Sequence, residues 1–265
     1  MRALLLDCRE MFAEQITYRE LLFQMTWRDL LLRYQETVMG FGWAIFMPIV
    51  NTAVFYVVFT RVAHVETPVP YVVFAFSGLW VWNFLASALR FSVVSLTSNA
   101  NLVSKIYFPR EIFPFSAVLV CLVDFAVGGV VLAGLMIWYH VPLGMNVLWF
   151  PLVLLVHIVF TTALALLLSM ANLFYRDVKY LFEIAITIWM FASSVVYPVQ
   201  NVSGRLGAVL KFNPITPIID AYRNVLLLNR PPDLAFAWAA GLSLVLLGIG
   251  WAYFHRLEFE FAERI

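Results

Sequence analysis

Three ionisable side chains, Asp124, His157 and Glu183, lie inside long apolar stretches of the sequence. Ionisable residues within membrane segments bind substrates, relay protons or contact a polar group of a neighbouring helix. A proton-coupled carrier normally has a richer set of buried charges than these three. We therefore interpret Asp124 and His157 mainly as polar contacts between helices, and a functional role stays open for each.

Motifs that bind nucleotide or hydrolyse a bond are absent from the sequence. None of the twelve glycines is followed by lysine, which excludes the phosphate-binding loop G-x-x-x-x-G-K-[ST]. The four histidines lack metal-ligand spacing, and Cys8 and Cys121 lie in segments too different in character for a structural disulfide. We expect no catalytic site, no metal site and no cofactor bound by this chain, so the energy for any transport must come from a partner.

The composition is typical of an integral membrane protein. The 265 residues are 63% hydrophobic and 12% charged, with a mean hydropathy of +0.88, whereas soluble domains carry roughly a quarter charged residues. The net charge of +1 and the absence of basic runs give no sign of nucleic-acid binding.

Six apolar segments come close to the ~20 residues that a membrane-spanning helix needs. They are 41–60, 71–89, 112–138, 147–170, 180–197 and 234–254. The predicted fold is therefore all-α, with six transmembrane helices.

Aromatic, hydroxyl and sulfur side chains share one face of the first span and one face of the fifth. Lipid tails offer no hydrogen bonds to the hydroxyl groups of such a face. A pathway for an amphipathic solute does, and sugar rings also stack their C–H faces on aromatic rings. We therefore expect these residues to line a channel. They are Thr52, Phe55, Tyr56 and Phe59 in the first span, and Thr187, Met190, Ser194 and Tyr197 in the fifth.

The stretch 99–111 joins the second and third spans and combines charge with apolar surface. Asn99 or Asn101 can cap a short helix, and Pro109 allows only about two turns before the chain bends. Such a helix is suited to docking on a protein outside the membrane, although a solvated loop on the headgroups fits about as well. If it docks, we expect Ile106, Tyr107 and Phe108 to be the anchor, and Lys105 and Arg110 to lie at the rim.

The N-terminal segment 1–36 is too charged for a signal peptide. From Ile16 onwards its apolar residues gather on one face, and Trp27 is typical of a headgroup-level ring. We interpret it as an amphipathic interfacial helix in contact with membrane lipids. A soluble helix packed on a partner is the alternative.

The distribution of basic residues predicts the orientation. With a cytoplasmic N-terminus, twelve of the 17 Lys and Arg residues fall in inside segments, as the positive-inside rule requires. Both termini and the 99–111 stretch are then cytoplasmic.

The connection 198–233 between spans five and six contains apolar stretches that are too short to span and are broken by Pro214 and Pro217. Such lengths suit re-entrant helices. We expect this segment to dip towards the outer mouth of a pathway, since an ordinary outer loop would expose its isoleucines to water.

Two stretches support a resemblance to a known family. L-V-S-K-I-Y-F-P-R-E-I-F-P at 102–114 and F-N-P-I-T-P-I-I-D-A-Y-R-N-V-L-L at 212–227 resemble the signature regions of ABC-2 type exporter permeases. More narrowly, they are similar to the branch that exports O-antigen, capsular and teichoic polysaccharides. The resemblance covers nearly the whole chain.

The resemblance implies a homodimer in the bacterial inner membrane that works with two copies of a separate ABC ATPase, which holds ATP and Mg. It implies a transmembrane domain over 37–265. Its coupling helix, within 99–111, would consist of Asn101, Leu102, Val103, Ser104, Lys105, Ile106, Tyr107 and Phe108, closed by Pro109, Arg110 and Glu111. The re-entrant helices would place Asn213, Pro214, Pro217, Tyr222 and Arg223 at the outer mouth.

The expected function is export of a lipid-linked polysaccharide such as O-antigen. An ABC-2 exporter of drugs or small lipids is the nearest alternative. A secondary carrier and a membrane scaffold that transports nothing are more distant ones. The short chain, the aromatic faces and the Y-F-P-R-E stretch favour the polymer branch.

Overall fold

The protein is all-helical over the residues that the computed structural model describes, which are 14–35, 40, 42–58, 67–105, 108–198, 212–258 and 261. A 3-10 turn over Met145–Trp149 precedes the sixth helix. The helices, labelled in chain order, are α1 Arg19–Tyr34, α2 Gly42–Val57, α3 Tyr71–Ser98, α4 Ala100–Lys105, α5 Ile112–Trp138, α6 Phe150–Phe174, α7 Val178–Phe191, α8 Ile215–Leu226 and α9 Leu234–Leu257.

Four helices are long and apolar enough to cross a membrane: α3, α5, α6 with its preceding turn, and α9. They correspond to the second, third, fourth and sixth predicted spans, so the prediction of an all-α integral membrane protein is confirmed. The helix of the first predicted span, α2, has 16 residues, and the end of that span at residues 59 and 60 lies outside the described part of the chain.

The fifth predicted span is interrupted. Its helix α7 has 14 residues and ends at Phe191 rather than at Tyr197. At 1.5 Å per residue it extends roughly 21 Å, less than the ~30 Å of a hydrocarbon core. The carbonyl groups freed beyond the end of α7 are bonded by side chains. Asn213 Nδ2 donates to the Ala192 carbonyl at 2.7 Å, and Arg223 donates to the Val195 carbonyl at 2.7 Å.

Helix α3 lies at the centre of the chain and is buried over most of its length. Its apolar side chains pack with those of α5, α6 and α8 into the main hydrophobic core. A second core joins the end of α3 to the start of α5 and to the last turns of α6 and α9. Met25 of α1 and Phe108 of the predicted coupling stretch, residues 99–111, also belong to it.

Helix α1 runs beside α5 rather than lying apart from it. Near its start, Gln15 Nε2 donates to Glu111 Oε2 at 3.3 Å, and near its end Arg33 pairs with Asp124 at 2.6 Å. Glu111, directly before α5, and Asp124 on α5 are 13 positions apart, which corresponds to roughly 20 Å along a helix axis. Helix α1 therefore packs lengthwise along α5, and its interfacial position in the membrane stays a prediction.

Candidate functional site

A cavity of about 430 Å³ opens between α1, α2, α3 and α5. It lies where the last turn of α1 meets the middle of α5. Its walls come from these four helices, so side chains far apart in the sequence face the same space. The lining residues include Arg33, Tyr34, Trp43, Met47, Pro48, Asn51, Trp80, Asn83, Phe84, Ser87, Arg90, Cys121, Asp124, Phe125 and Gly128.

Three polar side chains in this wall are free to form hydrogen bonds with a solute. Within the described part of the chain, Asn51 of α2 and Asn83 and Ser87 of α3 line the cavity without a hydrogen-bond partner of their own. Amide and hydroxyl groups both donate and accept hydrogen bonds. The cavity therefore offers free donors and acceptors to a solute within a region of apolar helices.

Aromatic rings stand beside these polar groups. Trp80 stacks on Phe125 with ring centroids 4.0 Å apart, and its indole nitrogen donates to the Phe125 carbonyl at 2.7 Å. An added Cβ at Gly128 would lie 2.7 Å from the Trp80 ring. Glycine at this position therefore lets the indole lie against α5, and the cavity receives a fixed aromatic surface.

The charges of the cavity are paired. Arg33 forms an ion pair with Asp124, which also accepts a hydrogen bond from the Tyr34 hydroxyl. Arg90 pairs with Glu183 of α7 at 3.0 Å, and both side chains of that pair are about half exposed. The site is thus close to electrically neutral, which suits an uncharged polar solute better than a lone ion.

Asp124 and His157 each lie beside a polar group of a neighbouring helix. Asp124 holds the last turn of α1, whereas His157 is fully buried among aromatic rings. The His157 imidazole faces the Tyr222 hydroxyl at 3.4 Å.

The predicted channel face of the first span does not line this cavity. Thr52 is buried and its hydroxyl donates to the Pro48 carbonyl at 2.7 Å. Phe55 packs on the main core, Tyr56 is 39% exposed, and Phe59 lies outside the described residues. The wall is formed instead by the neighbouring face that carries Trp43, Met47, Pro48 and Asn51. The sequence contains a pattern that indicates this face, because Trp43, Met47 and Asn51 recur every four residues and so lie on one side of a helix.

The predicted channel residues of the fifth span have separate positions. Thr187 is exposed and bonds back to its own helix, and Met190 packs against the main core. Ser194 is buried and donates to Asp220 at 3.0 Å, and Tyr197 donates to the Phe191 carbonyl at 2.5 Å. The last two lie beyond the end of α7, so the four do not form one helical face.

The predicted coupling residues divide into an exposed and a buried group. Asn101 is exposed and Leu102 half-buried on α4, whereas Val103 is buried. Phe108 is only 6% exposed and packs on Phe113 with centroids 5.5 Å apart. The expectation that Phe108 anchors a partner needs correction, because its ring fastens the stretch to the protomer's own core. The side chains of Ser104 and Lys105, and all of Ile106 and Tyr107, lie outside the described part.

The coupling stretch ends in a buried cluster of acidic and imidazole groups. Pro109 is buried, Arg110 is partly exposed, and Glu111 is 1% exposed at the start of α5. Glu111 faces His255 of α9 at 3.5 Å, and His255 faces Glu258 at 3.4 Å. Burial, reinforced by the nearby Glu111 carboxylate, raises the pKa of Glu258 to about 7. Sequence reasoning missed this cluster because Glu111 lies more than 140 positions before His255 and Glu258.

The non-helical residues 192–197, called the break after α7, follow that helix. Two of the predicted outer-mouth residues bond to this break. Arg223 of α8 is buried, donates to the carbonyls of Ser194 and Val195, and stacks 3.6 Å above the Phe74 ring centroid. Asn213 bonds to the same break through the Ala192 carbonyl.

The remaining predicted outer-mouth residues pack inward. Pro217 and Tyr222 are buried, and Pro214 is partly buried just before α8. Helix α8 is therefore packed within the chain, against the segment that follows α7.

Long apolar helices around a neutral, partly aromatic cavity define a membrane-embedded protein of the transporter type. A family model for ABC-2 type transporters matches residues 20–227 of the chain. The protein belongs to the ABC-2 type transporter family.

Curated relatives resemble the chain over nearly its full length. The O-antigen export system permease protein RfbA of Myxococcus xanthus is 30% identical over 256 residues, which covers 95% of this chain and 98% of the relative. The protein of the same name from Klebsiella pneumoniae is 27% identical over 248 residues, covering 92% and 94%.

Proposed function

We propose that this protein is the transmembrane subunit of an ATP-driven ABC exporter that moves a lipid-linked, O-antigen-like polysaccharide out of the cytoplasm. One observation carries the proposal. The cavity presents uncommitted amide and hydroxyl groups beside indole rings, with its charges paired. Sugars have many hydroxyls to hydrogen-bond and apolar C–H faces to stack. The relatives named as O-antigen export permeases support the same substrate class.

The working assembly in this proposal is a homodimer of six-span subunits with two ATPase subunits. The exposed faces of α2 and α7 carry large apolar side chains suited to subunit or lipid contacts, among them Phe46, Ile49, Ile184 and Ile188. ATP and Mg bind the ATPase subunits, and this chain supplies the pathway and the coupling helix. The short α7 and the packed α8 support a re-entrant segment at the outer mouth.

The proposed location is the bacterial inner membrane, with both termini in the cytoplasm. The distribution of Lys and Arg supports this orientation. It places α4 and the Glu111 cluster on the cytoplasmic side, within reach of a soluble ATPase. It also places the break after α7 towards the outer side.

The proposal is tested by blocking the cavity. The double variant Asn83→Leu and Ser87→Leu removes two free polar groups and adds bulk within the cavity. We expect surface polysaccharide in cells that also contain the ATPase to fall at least several-fold. Val130→Leu adds bulk on α5 at a position that is 74% exposed, away from the cavity, and should export normally. Normal export by the double variant, at equal membrane abundance, would refute the pathway.

A further inference from the structure

Three potential metal ligands converge at the junction between the coupling stretch and the end of α9. Glu111 precedes α5, His255 lies in the last turn of α9, and Glu258 follows that helix. His255 Nδ1 is 3.5 Å from Glu111 Oε1 and 3.4 Å from Glu258 Oε1. The ligand atoms of all three residues lie within 4.8 Å of one another. Distant parts of the chain thus direct one nitrogen and two oxygen atoms at one point.

The cluster is buried and its polar groups are incompletely satisfied. Glu111 and Glu258 are 1% and 7% exposed. The His255 Nδ1 atom is shielded from solvent and has no partner at hydrogen-bond geometry within the described part of the chain. Two buried carboxylates face a single imidazole, so three groups that can bind a metal ion share one enclosed space. Buried polar groups of this kind are normally compensated by a hydrogen-bond partner, a counter-charge or a metal ion.

We propose that Glu111, His255 and Glu258 form a zinc-binding site. In a tetrahedral zinc site with bonds of about 2.1 Å, neighbouring ligand atoms lie about 3.4 Å apart, which matches both measured separations. Two carboxylates and a neutral imidazole also balance the charge of a divalent ion. An imidazole ligand argues against Ca²⁺ and Mg²⁺, which bind through oxygen atoms.

Neighbouring side chains already orient the Glu111 carboxylate. Trp251 Nε1 donates to Glu111 Oε1 at 3.2 Å, and Gln15 Nε2 donates to Glu111 Oε2 at 3.3 Å. Such outer hydrogen bonds fix metal ligands in place. A zinc ion here would fasten the start of α5 to the end of α9, directly after the coupling stretch, and would stiffen the joint through which a docked partner moves the membrane helices.

The test is zinc binding to the full-length purified protein. The protein carries no polyhistidine tag, Cys8→Ser and Cys121→Ala remove the thiols, and EDTA followed by desalting strips bound metal. We expect a calorimetric titration with Zn²⁺ to show one site per chain. Since even outer-shell changes lower metal affinity by 10–100-fold, loss of a direct ligand should lower it by about 100-fold or more. His255→Gln is therefore expected to lose the site.

His140→Gln is the matched control, because His140 is exposed in the turn after α5. It should bind zinc like the parent protein. Glu258→Gln provides a second variant at the less buried carboxylate if His255→Gln does not fold. Equal zinc affinity in the parent and in a folded ligand variant would overturn the proposal, as would a parent protein that binds no zinc.

Discussion

Arg223 stabilises the break after α7, and its removal should be costly. Its guanidinium is buried and donates to the carbonyls of Ser194, Val195 and Phe74. Removing one partner from a buried charged network costs about 3–5 kcal/mol, and each carbonyl left unpaired adds to the loss. We expect Arg223→Met to destabilise the protein by about 4 kcal/mol. At about 2–4 °C per kcal/mol for a chain of this size, Tm should fall by roughly 10 °C.

The assay is thermal unfolding of the purified protein in one detergent, followed by intrinsic tryptophan fluorescence. Arg223→Lys keeps the charge but not the planar fork that reaches several carbonyls, so its Tm should fall between those of the wild type and Arg223→Met. Arg230→Met is the matched control, because Arg230 is exposed and should change stability by less than about 0.5 kcal/mol. A Tm for Arg223→Met that equals that of the control would refute this account of the broken span.

Three further predictions concern packing, topology and coupling. Gly78→Ala should destabilise the protein by about 3 kcal/mol, because the added Cβ would lie 2.0 Å from the Val195 carbonyl oxygen. The same thermal unfolding assay measures the effect, and an unchanged Tm would contradict the close packing. Single cysteines at Ser104 and Met145 in a cysteine-free background should be labelled by an impermeant maleimide from opposite faces of the membrane, and same-side labelling would refute the topology. Tyr107→Ala should weaken ATPase binding by about 2 kcal/mol in a titration, and an unchanged affinity would remove Tyr107 from the interface.

Hydrophobic length was sufficient to predict the long helices. Runs of about 20 apolar residues correspond to α3, α5, α6 and α9. The second span was predicted to end at Leu89, yet α3 continues to Ser98. Arg90 interrupts the apolar run in the sequence, but its side chain pairs with Glu183 at the surface while the helix continues. The end of an apolar run therefore differs from the end of a helix where a charged residue within the helix pairs with a residue of another helix.

The end of α7 and the cavity depend on contacts between distant residues. Arg223 bonds to carbonyls 28 and 29 positions earlier, and Arg33 meets Asp124 across 91 positions. A single sequence shows the residue types but not which of them meet. For the same reason the sequence did not show which face of α2 forms the wall of the cavity, and the channel role of the predicted face, Thr52 to Phe59, stays a prediction.

The most direct test of the central claim is to capture polysaccharide in the cavity. A photoreactive phenylalanine analogue replaces Trp43, which already places an aromatic ring in the cavity wall, in the assembled transporter, and a second version carries it at Val130 on the outward face of α5. During ATP-driven export, irradiation should attach polysaccharide to the protein labelled at position 43 and leave the protein labelled at position 130 free of it. Equal capture at both positions, or capture only at position 130, would contradict a polysaccharide pathway through this cavity.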